Sequence, residues 1–365
     1  MLGAMNTRAL IFAFHFVAAC APMTMPGDAE LNEDVRASDV RADSNVATDT
    51  ITVTDTGTSN DAGPPSVNVD PNCTDGRYTE MLPSTTAMIS DVTFTMSNVA
   101  GFYDNVLMRR WANGAALVRG GLMNTSINCV TAFAGNPTTA AAALSNMGTV
   151  VHECGHIYDN QLSRGMASTN VYWITETTRF ACTRGDTTTR GGDTFARSRI
   201  ARDSYSSARP PCGGTATANC DFYADIYLNG NPDDAVFESG DQGFNLLFDE
   251  VVEYVNSLAT AYAYADQQPR GQRTSARDGI LNFMWYLERY LHLARTMYPA
   301  AYARISGDMC WRDAILTVWG RAWLYLEATR GMTSLGISDA ALMPLVTNPE
   351  LLDEIERLRT LSSCP

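Results

Sequence analysis

Apolar residues recur at helical spacing through the last third of the chain. Residues 244–265, 276–297, 308–329 and 349–361 each carry an apolar stripe, and the second of these stops before Pro299. Further back the pattern changes character. Residues 91–96 alternate in strand fashion, 102–115 have helical spacing, 116–122 form a short apolar run that predicts a second strand, and 170–175 predict another. Pro137-Thr138-Thr139 marks a helix start, and an alanine run leads from it into the uncharged stretch around Val150, Val151 and Ile157. That helix is expected to end near Arg164-Gly165. The expected class is α+β, mainly helical.

The N-terminal pattern is of another kind. Arg8 precedes an apolar run over 9–19 that is too short to span a bilayer and long enough for a signal-peptide core. It ends Val17-Ala18-Ala19-Cys20, which resembles the lipobox of bacterial lipoproteins. That resemblance implies removal of 1–19, a lipid on Cys20, and an exported protein anchored in the cell envelope, at the outer membrane or cell surface, through Cys20 alone. Residues 23–72 contain no aromatic residue, ten acids and two arginines, and repeat Asp34-Val35-Arg36-Ala37 as Asp39-Val40-Arg41-Ala42. Such a segment cannot bury enough apolar surface to fold. It is expected to be a disordered acidic stalk, similar to those of myxobacterial lipoproteins, so that 20–72 form the anchor and linker and 73–365 the folded domain.

Most of the formal charge of −14 belongs to the stalk. Residues 73–365 carry thirty acids and twenty-three arginines, a balance that does not favour nucleic acid as a partner. The chain has no lysine, which excludes Schiff-base chemistry and a phosphate-loop lysine. Seven arginines fall between Arg179 and Arg209; they are read as solvated loop charges offset by Asp186, Asp193 and Asp203 rather than as an anion site. With Cys20 set aside, eight cysteines remain, and in an exported chain they predict disulfides. Cys212 and Cys220 are the expected local pair, Cys73 and Cys364 a clasp of the domain ends, and Cys154 an alternative free thiol.

The chemistry concentrates in His152-Glu153-Cys154-Gly155-His156. Histidines four apart lie one turn above each other on one helix face, so both imidazoles can reach a single metal ion, with Glu153 beside it as general base. The plainer alternative is a pair of packing histidines. The nine residues 150–158 resemble the metal helix of zincin metallopeptidases of the gluzincin type. The resemblance implies one zinc ion, a peptide or protein substrate, and a small sheet beside the metal helix, a role open to 91–96 and 116–122. The extended metzincin pattern is absent, because Asp159 stands where that family has glycine.

Catalytic zinc takes three protein ligands and keeps one position for water. His292, the remaining histidine after the leader, reads as a core or boundary residue, so a carboxylate is expected to be the third ligand. Glu176 lies twenty residues after His156, a gluzincin-like separation, but in a β-branched setting that suits a strand. On the helix at 244–265, Leu247, Val251, Val255 and Leu258 define the stripe. Glu253 points away from it, while Glu250 and Tyr254 lie at its edge. Glu250 is therefore the expected ligand, ahead of Glu253 and Glu176, and Tyr254 the expected oxyanion donor. The functional expectation is an exported zinc-dependent hydrolase, first of all a metallopeptidase, with an enzyme of cell-wall amide bonds as a further alternative. The rival is a non-catalytic adhesin or binding module with a structural or vestigial metal site, which Cys154 as a fourth ligand would favour.

Overall fold

The computed structural model describes residues 68–166, 168–184, 195–214, 219–234, 236–268 and 271–364. The leader and nearly all of the stalk lie outside the described residues. In chain order the helices and strands are α1 (Thr74–Arg77), α2 (Val99–Arg110), α3 (Ala112–Leu122), α4 (Cys129–Phe133), α5 (Ala140–Ser145) and α6 (Met147–Ser163), followed by the strands β1 (Thr169–Thr175) and β2 (Thr178–Thr183). Then come α7 (Phe222–Tyr227), α8 (Phe244–Ala263), α9 (Ala276–Met297), α10 (Pro299–Gly307), α11 (Met309–Ala328), α12 (Asp339–Val346) and α13 (Pro349–Leu361). The described chain is mainly helical with one small antiparallel sheet of two strands. None of its helices is long and apolar enough to cross a membrane.

Helix α8 organises the packing. It touches α6, α9, α11 and β1, and α3 covers another side of α6. One continuous core runs through these elements, with Trp285, Trp311 and Trp319 buried in it. The long C-terminal helices fall where the apolar stripes place them, with Asp308 capping α11 by accepting the Cys310 N–H at 2.9 Å. The helix expected from Thr139 onward forms as two pieces. Thr139 caps α5, the chain breaks at Asn146, and α6 continues to Ser163 with Gly165 at φ +85° just beyond its end.

Two strand expectations fail. Residues 116–122 belong to α3, because a short apolar run does not by itself separate strand from buried helix and the packing against α6 decides it. The side chain that a β-carbon at Gly121 would begin has no room: that atom would lie 2.6 Å from the Cys154 carbonyl oxygen. Residues 91–96 form a loop leading into a 3-10 turn, held by Arg109, whose guanidinium binds the Met88 carbonyl and Asp91. Alternation there meets no partner strand. The sheet beside α6 is instead the hairpin β1–β2, of which 170–175 was expected. The helix expected at 102–115 is also divided, at Trp111, whose backbone turns extended between α2 and α3.

Four disulfides close the structure: Cys73–Cys364, Cys129–Cys154, Cys182–Cys310 and Cys212–Cys220. Cys154 is thus bonded to Cys129 and is not a free thiol. Of the seven arginines, Arg197 and Arg209 are buried rather than solvated, and Asp203 pairs with Arg289 of α9 at 2.8 Å rather than with its sequence neighbours. Arg190, Asp186 and Asp193 lie outside the described residues.

Candidate metal centre

Helices α6 and α8 run antiparallel past each other at the site, since Ser257 meets His152 while Asp249 meets His156. His152 and His156 lie one turn apart on α6 with their rings edge-on and centroids 4.7 Å apart, and Glu250 of α8 faces both. The His152 and His156 Nε2 atoms are 3.0 Å apart, and Glu250 Oε2 lies 3.4 Å and 3.5 Å from them. His152 and Glu250 are buried at 1% exposure each, and His156 is partly buried at the edge of the cluster.

Each imidazole has a hydrogen-bond partner on its outer face. Asp249 Oδ2 lies 2.7 Å from His156 Nδ1, and an ionised carboxylate only accepts, so Nδ1 carries the proton and Nε2 turns a lone pair inward. Ser257 Oγ sits 3.0 Å from His152 Nδ1 and, as a hydroxyl that can accept, is compatible with the same tautomer there. Two lone pairs and a carboxylate oxygen then converge without a hydrogen atom among them, a repulsive arrangement unless a cation stands between. Zinc bonds of ~2.0–2.1 Å set tetrahedral ligand atoms about 3.3 Å apart, which the three observed separations bracket. The donor set therefore fits zinc. In its absence a proton takes that place. Burial opposes charge on His156, but the Asp249 and Glu250 carboxylates outweigh it and hold the His156 pKa well above the ordinary value. Burial would raise the Glu250 pKa, yet the two histidines pull it well below the usual carboxylate range.

Glu153, 3% exposed, lines a cavity of about 280 Å³ together with His156, Asp249, Tyr172 and Asn245. On the other flank Tyr254 packs its ring edge-on to His152 at 4.8 Å and stacks on Phe283 at 4.5 Å. Its hydroxyl meets that of Tyr227 at 3.0 Å. Buried Arg197 donates from Nε to the Tyr227 carbonyl at 2.8 Å and lies 5.3 Å over the Tyr227 ring. Desolvation lowers the Arg197 pKa, and Glu250 opposes that fall.

The expected residues His152, Glu153, His156, Glu250 and Tyr254 come together here. Glu176 does not; it is exposed at the hairpin turn between β1 and β2. Glu253 is not the solvated acid its helix face suggested. It is 0% exposed because α8 is covered on several sides, and its Oε2 accepts from Asn256 Nδ2 at 2.9 Å. His292 is a boundary residue, its Nδ1 3.1 Å from Glu354 Oε1. Asp249 and Ser257 escaped the sequence reading, although Ser257 stands two helical turns after Glu250 on the same face.

The sheet contributes differently from a substrate-pairing edge. The Val171 N–H donates to Ser163 Oγ and the Trp173 N–H to Asp159 Oδ1, both at 2.8 Å, so these edge amides of β1 are already held by α6. No family model matches the chain, and neither a curated protein nor a solved structure matches it significantly.

Proposed function

We propose that the chain is a zinc-dependent hydrolase with a peptide or protein substrate, a zincin-like metallopeptidase exported and tethered through Cys20. The observation that carries this reading is the convergence of His152 Nε2, His156 Nε2 and Glu250 Oε2 within 3.5 Å of one another, with both imidazole Nδ1 atoms engaged on the outside. A zinc ion held by these three residues supplies Lewis acidity, lowering the pKa of water and polarising a carbonyl.

The residues of the chain do the rest. Glu153, adjacent to His152 and lining the cavity, takes the proton from the attacking water and passes it to the leaving amine. Asp249 and Ser257 hold the imidazoles in one tautomer and orientation. Tyr254, braced by Phe283 and Tyr227, offers its hydroxyl as a donor to a developing oxyanion. With Cys154 committed to a disulfide, the cluster among the described residues offers three side chains to a metal, which favours an open catalytic position over a closed structural site. The held amides of β1 favour a substrate seated by the cavity walls rather than by addition to that strand.

Elemental analysis should find one zinc per chain, lost in His152→Ala. Glu153→Gln should keep the zinc and lower turnover of a peptide library by roughly 10²–10⁴-fold. A wild-type protein that takes up no zinc, or a Glu153→Gln variant with undiminished turnover, overturns the reading. Turnover of purified peptidoglycan but not of peptides moves the substrate to cell-wall amides.

A further inference from the structure

Beyond His156 the same two helices gather a second set of acids. Asp159 of α6 and Asp249 and Glu253 of α8 each offer a carboxylate oxygen within 4.8 Å of the other two. Each acid has one oxygen engaged: Asp159 Oδ1 by the Trp173 N–H at 2.8 Å, Asp249 Oδ2 by His156 at 2.7 Å, and Glu253 Oε2 by Asn256 at 2.9 Å. The other oxygens, Asp159 Oδ2, Asp249 Oδ1 and Glu253 Oε1, are buried with no hydrogen-bond partner among the described residues. Asp159 is 4% exposed and Glu253 0%.

The fold reserves room for this cluster. A β-carbon at Gly155 would fall 2.0–2.5 Å from the Glu253 carboxylate atoms, so α6 is bare where that group enters. Among the described residues no arginine is bound directly to Glu253 or Asp159 in return. Arg321 reaches Glu253 only through Asn256, whose Oδ1 accepts from Nη1 at 2.7 Å. Three ionised carboxylates with unpartnered buried oxygens lack solvation and repel one another, penalties that raise the Asp159 and Glu253 pKa values above the ordinary carboxylate range. A divalent ion removes both penalties. Oxygens on opposite sides of an ion bound at ~2.4 Å stand about 4.8 Å apart, and a donor set without nitrogen or sulfur selects a hard cation. Asp159 and Asp249 also line the cavity of about 280 Å³, from which water can complete the coordination.

We propose that Asp159, Asp249 and Glu253 form a second metal site, for a hard divalent cation of the calcium type, distinct from the donor set of His152, His156 and Glu250. The site stands whether or not the first one is catalytic. Asp249 joins the two, with one oxygen on the His156 N–H and the other free for the cation.

The test is equilibrium dialysis of the full chain, loaded with zinc, against Ca²⁺ or Mn²⁺, read by elemental analysis. A thermal melt with and without Ca²⁺ accompanies it. The expected result is one Ca²⁺ or Mn²⁺ per chain in addition to zinc and a Ca²⁺-dependent rise in Tm. Asp159→Asn and Glu253→Gln should each weaken that uptake at least tenfold with zinc content unchanged, while His152→Ala should lose zinc and keep Ca²⁺. Wild-type protein that binds no second cation at millimolar Ca²⁺ or Mn²⁺ overturns the proposal, as does uptake that survives both substitutions. Should the variants not fold, the wild-type stoichiometry and melt decide. Calcium uptake by a chain that takes no zinc would sink the hydrolase reading and leave this one standing.

Discussion

At the scale of single residues the proposed zinc site depends on groups outside its three ligands. Asp249 sets the His156 tautomer, so Asp249→Asn is expected to weaken zinc binding by roughly 10–100-fold, measured by competition with a chromophoric chelator; an unchanged affinity would remove Asp249 from its proposed role. Glu288 on α9 poses a separate question. It is fully buried, neither oxygen has a hydrogen-bond partner among the described residues, and burial, reinforced by Glu354, holds its pKa well above the ordinary value. The folded chain therefore keeps the Glu288 proton to higher pH than the unfolded chain does. Between the unfolded pKa of about 4.3 and the raised folded pKa, stability falls as pH rises, by up to about 1.4 kcal/mol per pH unit from this group. Denaturant titrations of Glu288→Gln should lack this contribution, so the stability of the variant relative to wild type should rise from pH 5 to pH 8. Parallel curves would exclude it.

Between elements, the position of α6 follows from what lies against it. Gly121 of α3 permits close approach, and the Cys129–Cys154 disulfide ties α6 to α4 across 25 residues. Replacing both cysteines by alanine is expected to cost about 3 kcal/mol by loop-closure entropy, read from chemical denaturation. Zinc affinity should fall by less than in His152→Ala, because the metal-ligating helix is loosened rather than stripped of donors. A loss of stability well under 1 kcal/mol would show that packing alone holds α6. Helical spacing revealed α8, α9, α11 and α13 because each buries a long stripe; it put Glu250 at a stripe edge, and the structure has it buried 3.4 Å from His152. The same reasoning misjudged Glu253. A single stripe assumes one buried face, and α8 has several.

Over the whole molecule, Cys73–Cys364 joins chain positions 291 residues apart, and Arg359 of α13 binds Asp75 of α1 at 2.6 Å beside it. Removing this disulfide should lower stability by roughly 2–5 kcal/mol, while zinc stoichiometry at 25 °C stays at its wild-type value, since the bond lies at the domain ends. Loss of zinc in that variant would show that closure of the ends reaches the centre. What the sequence determined by itself were features of local spacing: His152 and His156 on one helix face, Glu153 between them, the long amphipathic helices, and two of the four disulfides. Spacing is enough for these because one turn or one stripe defines them. Tertiary structure alone decided that 116–122 are helix, that the hairpin after α6 forms the sheet, and that Cys154 is bonded. It alone put Ser257 and the acids Asp159, Asp249 and Glu253 around the cluster of His152, His156 and Glu250. Those outcomes depend on which helices meet and how closely, and contacts between residues some ninety positions apart leave no period in the chain to read.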